Sequence, residues 1–317
     1  MIQFVGTKYK KMLKRTLKLL LVSIMGIMLV TIPVHATASY HLSVAGVEVT
    51  TLNKDNITGT YITGSISFDP ETNTLTLNNA TIDSGTTILE EAVNAQFDLT
   101  VNLIGTNQFG KLIDENSADE PYNLNYGIYN YATGVAHTTK DITFVGEGSL
   151  TVYDNLYGMY CENFNGKLTG NGTLNINDNG QDLLTCAIMA NETATFTSGN
   201  YNFNSLRGAA VDATAMVYNG GKVILTVKQN NPSPLVTGSL TINPSNTNAL
   251  GSTNQDGSSS QKYDSANLGN YKYLALSLKE ATNTGNSTSP WLYVSITCAA
   301  LAVLLIIFGI KNRKKNK

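Results

Sequence analysis

Between residues 39 and 290 the chain consists of short runs in which apolar and polar positions alternate: TLTL at 74–77, LTVNL at 99–103, SLTV at 149–152, TLNI at 173–176, KVILTV at 222–227, SLTI at 239–242 and YLALSL at 273–278. Alternation at period two puts the apolar side chains on one face of an extended strand, and the Gly, Asn and Asp residues at the breaks supply turns. No stretch of this region carries a long helical period; ILEEAVNA at 88–95 comes nearest and is short. The pattern predicts an all-β region of many short strands.

The runs also recur in register. VGEGSLTV at 145–152 aligns with TGNGTLNI at 169–176, an offset of 24. SGNYNF at 198–203 is a degenerate third copy, and YNGG at 218–221 followed by VILTV at 223–227 is a fourth. A second motif lies between the copies, YGIY at 126–129 and YGMY at 157–160, offset by 31, with looser echoes in CAIM at 186–189 and GAAV at 208–211. Two motifs alternating at roughly 22–31 residues imply one supersecondary unit stacked on itself. That unit is too short for a propeller blade and lacks the helices of leucine-rich or ankyrin repeats. The expected fold over 39–280 is therefore a parallel β-helix. One or two β-sandwiches also give short strands at regular spacing, but they leave the paired motifs unexplained. An open stack needs capped ends. YHLSVAGVEVT at 40–50 reads as an opening strand or hairpin, YKYLALSL at 271–278 as a returning terminal strand, and the polar GSTNQDGSSSQ at 251–261 as a long loop.

The two ends differ from this middle. A basic stretch ending at Lys18, an apolar run at 19–32 and the small-residue site Ala36-Thr37-Ala38 follow in the order of an export signal. The 14-residue apolar run would extend about 21 Å as a helix, short of a roughly 30 Å hydrocarbon core. Residues 1–38 are therefore expected to be a signal peptide cut after Ala38, with an uncleaved N-terminal anchor as the alternative. The 20 uncharged residues 291–310 are long enough to span a membrane as a C-terminal transmembrane helix, with Trp291 and Tyr293 at the headgroup level. The basic tail at 311–317 is expected to hold that end on the cytoplasmic side. Eleven of the 21 basic residues lie in the two ends and none of the 23 acidic ones does, so 39–290 carries ten against 23, a net charge of −13. That charge repels nucleic acid.

Two resemblances follow from these residues. The span and basic tail, preceded by Ala281-Thr282-Asn283-Thr284-Gly285 in the linker 281–290, resemble the sorting signal of Gram-positive wall-anchored proteins. By that resemblance a sortase would cut between Thr284 and Gly285 and join Thr284 to the cell wall; only the Thr-Gly pair matches the usual motif, and retention by the span itself is the alternative. The segments YHLSVAGVEVT at 40–50 and FDPETNTLTLNNATI at 68–82 resemble a module common in secreted and wall-anchored proteins of Gram-positive bacteria. Some members look like a β-helical carbohydrate-binding family whose relatives bind acidic plant polysaccharide with calcium. The resemblance implies a surface location and a β-helix.

Candidate chemistry is sparse. Six tyrosines, Tyr126, Tyr129, Tyr131, Tyr153, Tyr157 and Tyr160, fall within 35 residues. Such rows either stack on sugar rings while their hydroxyls bond to ring substituents or support the sheet as ladders between neighbouring strands. Tyr129, Tyr131 and Tyr160 are the ligand-binding candidates. The acidic loop with Asp114, Glu115, Asp119 and Glu120 offers the hard oxygen ligands that calcium takes, against the plainer reading of a solvated charged run. Asn175-x-Asn177-x-Asn179-Gly180 imitates an EF-hand start, but Cys186 stands where the closing Glu belongs. Cys161 and Cys186 are 25 residues apart, about one repeat, so they could stack as small buried residues, and an exported location would permit a disulfide between them. No nucleophile elbow or zinc motif is present. Arg207 is the only arginine in 39–290 and nine lysines are spread thinly, a scarcity of positive charge that counts against a uronate lyase. The expectation is a non-enzymatic surface protein that binds glycan or a cell-surface ligand, with a polysaccharide-active enzyme or a structural stalk as the competing classes.

Overall fold

The computed structural model describes residues 12, 14–18 and 37–279, apart from 113–121, 133–137, 181–182 and 229–232. Most of the expected signal segment, the acidic run at 114–120, the linker with Thr284 and Gly285, the apolar stretch at 291–310 and the basic tail lie outside the described residues. Among those described, no helix is long and apolar enough to cross a membrane.

The region is all-β, and its strands join into three hydrogen-bonded ladders. In the first, Leu89–Ala95, Leu124–Ala132, Tyr157–Lys167, Cys186–Ser198 and Val211–Tyr218 pair in parallel. The second takes Thr74–Ile82, Leu99–Ile104 and Ile142–Gly146, continues through the C-terminal halves of Tyr157–Lys167, Cys186–Ser198 and Val211–Tyr218, and ends on Ser239–Ile242. Those long strands shift register between Cys161 and Asn163 and between Ala190 and Thr193, so one strand serves two ladders. The third begins on Thr81 and Ile82 and runs through Thr106–Phe109, Ser149–Asp154, Thr173–Asp178, Asn200–Ser205 and Lys222–Val227.

The motif offsets are the pairing registers. Ser149 faces Thr173 at the offset of 24, and Tyr126 and Tyr129 face Tyr157 and Tyr160 at the offset of 31. The degenerate copies fall into line, with Leu174 on Tyr201 and Tyr201 on Val223. One echo shifts by a residue: Val211 faces Ile188, so the unit equivalent to CAIM is Ala209-Ala210-Val211-Asp212 and not GAAV. The cysteines do not stack. The unit that links them is 29 residues long, so Cys186 faces Tyr157 while Cys161 faces Ala190. Both thiols are free and buried. Four positions out of register is about 13 Å along a strand, too far for a disulfide.

Register also builds the core. Ile82, Phe109, Val152, Ile176, Phe203 and Leu225 form one buried row across the third ladder. Each fully buried side chain of this kind contributes about 1.5–3 kcal/mol. Phe164 and Phe196 lie 5.4 Å apart and meet Phe203 of this row at 6.2 and 5.9 Å, and Phe196 packs edge-on against Tyr201 at 5.0 Å. The buried Tyr201 hydroxyl donates to the Ser198 carbonyl at 2.6 Å and accepts from the Leu168 N–H at 3.3 Å. The outer face of the same ladder is polar: Asn202 donates to Asn175 at 2.8 Å and Asn204 to Asn177 at 3.1 Å.

Both expected caps are present. Ser39–Val44 and Val47–Thr50 form a hairpin whose two turn residues, Ala45 and Gly46, have φ of 49° and 76°, the mirror-image turn that matches strand twist. This hairpin pairs antiparallel with Leu89–Ala95. At the other end Tyr273–Leu278 returns antiparallel on Lys222–Val227 and receives Thr247–Ser252 on its far side. Residues 251–261 are less loop than expected, because Gly251 and Gln261 pair across a hairpin. The Asp-Pro turn before Asn73 closes a second hairpin, with Asp69 accepting from the Glu71 N–H at 3.0 Å and the Thr72 hydroxyl at 2.7 Å.

Candidate functional site

The Tyr-Gly-x-Tyr motif has a local cause. In each copy the glycine and the residue after it both turn inward, Gly127 with Ile128 and Gly158 with Met159, and all four are buried. A Cβ on Gly127 would lie 2.3 Å from the Gly158 carbonyl oxygen and 2.7 Å from Val152. On Gly158 it would lie 2.3 Å from Ile176 and 2.6 Å from the Ala187 carbonyl oxygen. Glycine thus lets the first ladder close on the third. Two successive inward positions also break strict alternation, so tyrosines three residues apart share the outer face.

On that face five tyrosines form one half-buried cluster. Tyr129 and Tyr160 stack at 5.1 Å with their planes 20° apart. Tyr126 lies 5.7 Å from Tyr157 and 4.9 Å from Tyr129. Tyr131 sits 5.7 Å from Tyr129 and 6.2 Å from Tyr160. The three candidates Tyr129, Tyr131 and Tyr160 are therefore brought together, and Tyr126 and Tyr157 join them. Tyr153 stands apart, against Tyr122 at 5.3 Å. Burial raises the phenols, Tyr157 up to about 12, with Tyr126, Tyr129 and Tyr160 raised as well. Their hydroxyls stay protonated at neutral pH and both donate and accept.

Carboxylates border the rings. Glu91 faces Tyr126 in register, accepts from Asn94 at 3.3 Å and is itself raised by burial. Glu162 accepts from the Thr139 hydroxyl and from Asn191 at 3.4 Å. Beyond Tyr160 the row continues through Met189 to Asp212, whose Oδ1 accepts from the Thr237 hydroxyl at 2.6 Å. Met189, Asn191, Asp212, Thr214 and Thr237 line a shallow groove of about 360 Å³ that prolongs the tyrosine cluster. Sequence reasoning missed these acids because they belong to neighbouring strands, paired at offsets that differ from the 31 of the tyrosine motif: 35 from Glu91 to Tyr126, then 29 and 23 from Tyr160 through Met189 to Asp212.

A second cluster is buried. Asp154 faces Asp178, which faces Ser205, at the inner end of the third ladder. Asp178 accepts from the Gly180 N–H at 2.8 Å and the Ser205 hydroxyl at 2.6 Å, and burial lifts its carboxyl to about 7. Asp154 is fully buried, and among the described residues neither of its oxygens has a hydrogen-bond partner. Burial first, then the charge of Asp178, push its carboxyl well up. A protonated Asp154 beside Asp178 relieves the repulsion of two like charges one strand apart. Sealed from solvent, this pair is out of reach of a polymeric substrate.

Of the remaining candidates, Ala38 lies exposed just ahead of the first strand, its carbonyl accepting from the Thr51 N–H at 3.1 Å. Asp114, Glu115, Asp119 and Glu120 lie outside the described residues; among those described, no group of three or more His, Cys, Asp or Glu side chains is placed to hold a metal ion. No family model, curated protein or solved structure matches the chain.

Proposed function

We propose that this is a non-enzymatic protein of a bacterial cell surface that binds glycan through a β-helical ectodomain. The three ladders are, in this reading, the faces of a parallel β-helix over 39–280. Parallel pairing between strands about one repeat apart supports it over an antiparallel sandwich. The observation that carries the binding function is the stacked, half-buried Tyr129–Tyr160 pair with Tyr131 beside it. Aromatic faces pack on the apolar faces of sugars while their hydroxyls bond to ring substituents.

Placement at the surface rests on the chain's ends. The signal at 1–38, cut after Ala38, would export the ectodomain, and the span at 291–310 would retain it above the tail 311–317. A sortase cut between Thr284 and Gly285, within the linker 281–290, would transfer it to the wall. Calcium held by Asp114, Glu115, Asp119 and Glu120 would add a hard-cation site. Nucleic acid is not a partner, because 39–290 carries a net −13.

A glycan array probed with the full chain, with calcium and with chelator, tests the function. Retention of a glycan without product release is expected. New reducing or unsaturated ends would point to an enzyme, and silence throughout to a structural stalk. The intact mass of the mature protein tests the ends: loss of everything after Thr284 is the sortase outcome, and full retention of 291–317 removes it.

A further inference from the structure

We propose that the tyrosine face selects glycans bearing free amino groups, such as a deacetylated amino-sugar polymer. This rests on the glycan-binding reading above and specifies the charge of its ligand. Glu91 faces Tyr126 in register, Glu162 lies two residues beyond Tyr160 on the same strand, and Asp212 continues the row of Tyr160 through Met189. A ring face beside a carboxylate is the setting an ammonium prefers, since the π-system and the anion attract it together.

The carboxylates also bracket the face. Glu91 stands on the strand before Tyr126, and Asp212 on the second strand beyond Tyr160. Across the ladder from Leu89–Ala95 to Val211–Tyr218 the four strand spacings amount to about 19 Å, long enough for several sugar rings. Tyr126, Tyr129, Tyr157 and Tyr160 occupy the middle of that path, and the groove at Met189, Asn191 and Thr237 continues it to Asp212. The net −13 of 39–290 draws cationic polymers toward this face. A uronate polymer would instead set its carboxylates against Glu91 and Asp212 with no counter-charge, which costs affinity.

Calorimetric titration of the full-length chain with glucosamine hexamer, N-acetylglucosamine hexamer and galacturonic acid hexamer tests this, at about pH 6, below the usual range of amines. The glucosamine hexamer is expected to bind about tenfold tighter than its acetylated form. That margin should shrink in about 1 M salt, where exposed charges are screened, and the galacturonate should give no binding. Glu91→Gln with Asp212→Asn should erase the margin, bringing the two amino-sugar hexamers to equal affinity. Equal binding of the two amino-sugar forms, tightest binding of galacturonate, or a margin that survives the double variant would overturn the amine preference while leaving glycan binding intact. Absence of binding to all three would overturn both.

Discussion

Two in-register columns run across neighbouring ladders and obey the same geometry with opposite consequences. Tyr129 over Tyr160 lies on the outer face of the first ladder, and Asp154 over Asp178 lies inside the third. Parallel pairing sets like residues about 4.8 Å apart in both. For aromatic rings that spacing is attractive, and the pair stacks at 5.1 Å in contact with water. For carboxylates it is repulsive, and burial forbids solvent from relieving it, so both carboxyls are raised and hold their protons to higher pH. Register repeats whatever the sequence supplies; the surrounding medium decides whether repetition stabilises. The outer column is thus free to serve a ligand, whereas the inner columns are committed to the fold.

The strongest way to break this contrast is to damage an inner row. Phe203→Ala, in the middle of the buried third-ladder row, should lose about 3–5 kcal/mol in chemical denaturation. Gly158→Val comes next. Its new Cβ would meet Ile176 and the Ala187 carbonyl oxygen at 2.3 and 2.6 Å, which should cost about 1–3 kcal/mol as an overpacked contact.

The aspartate column sharpens the contrast through pH. Its carboxyls are raised above the ordinary value of 3.8, Asp178 to about 7 and Asp154 well above its model-compound range. The folded state therefore binds protons more tightly than the unfolded one. Their stabilising contribution is complete below about pH 4 and is lost as pH rises through the folded values. Tm measured across that window should fall with pH by several degrees. Asp154→Asn should flatten the slope and raise Tm at the alkaline end, where it removes a buried charge; an unchanged slope would exclude protonation of the pair. The smallest effect belongs to the outer amide ladder. Asn202→Ala removes one exposed-side hydrogen bond to Asn175 and should cost about 1 kcal/mol or less.

Much of this was legible in the chain. The offset of 24 fixed the pairing of SLTV with TLNI, and the same line continued two residues further to Asp154 and Asp178. That column carries the alternation beyond its apolar members, where each aspartate alone reads as a polar break at a strand end. The tyrosine cluster was legible as a spacing but not as a face. Period two would put Tyr126 and Tyr129 on opposite sides, and only the close approach at Gly127 and Gly158 returns both outward. The cysteine stack failed for a different reason. Turns between ladders vary in length, so the unit of 29 residues around Cys186 differs from the 25 that separates the thiols. Glu91 and Asp212 could not be assigned to the face from their own segments, since each reaches it only through a neighbouring strand.

The most direct test of the separation between outer and inner columns is Tyr129→Ala with Tyr160→Ala in one chain, with Tm and retention on a glycan array measured on the same sample. A ring pair of this kind contributes about 0.5–1.5 kcal/mol, so Tm should drop by only a few degrees while glycan retention disappears. Retention that persists, or a fold that collapses as it would for Phe203→Ala, would contradict the account and return these tyrosines to a purely structural role.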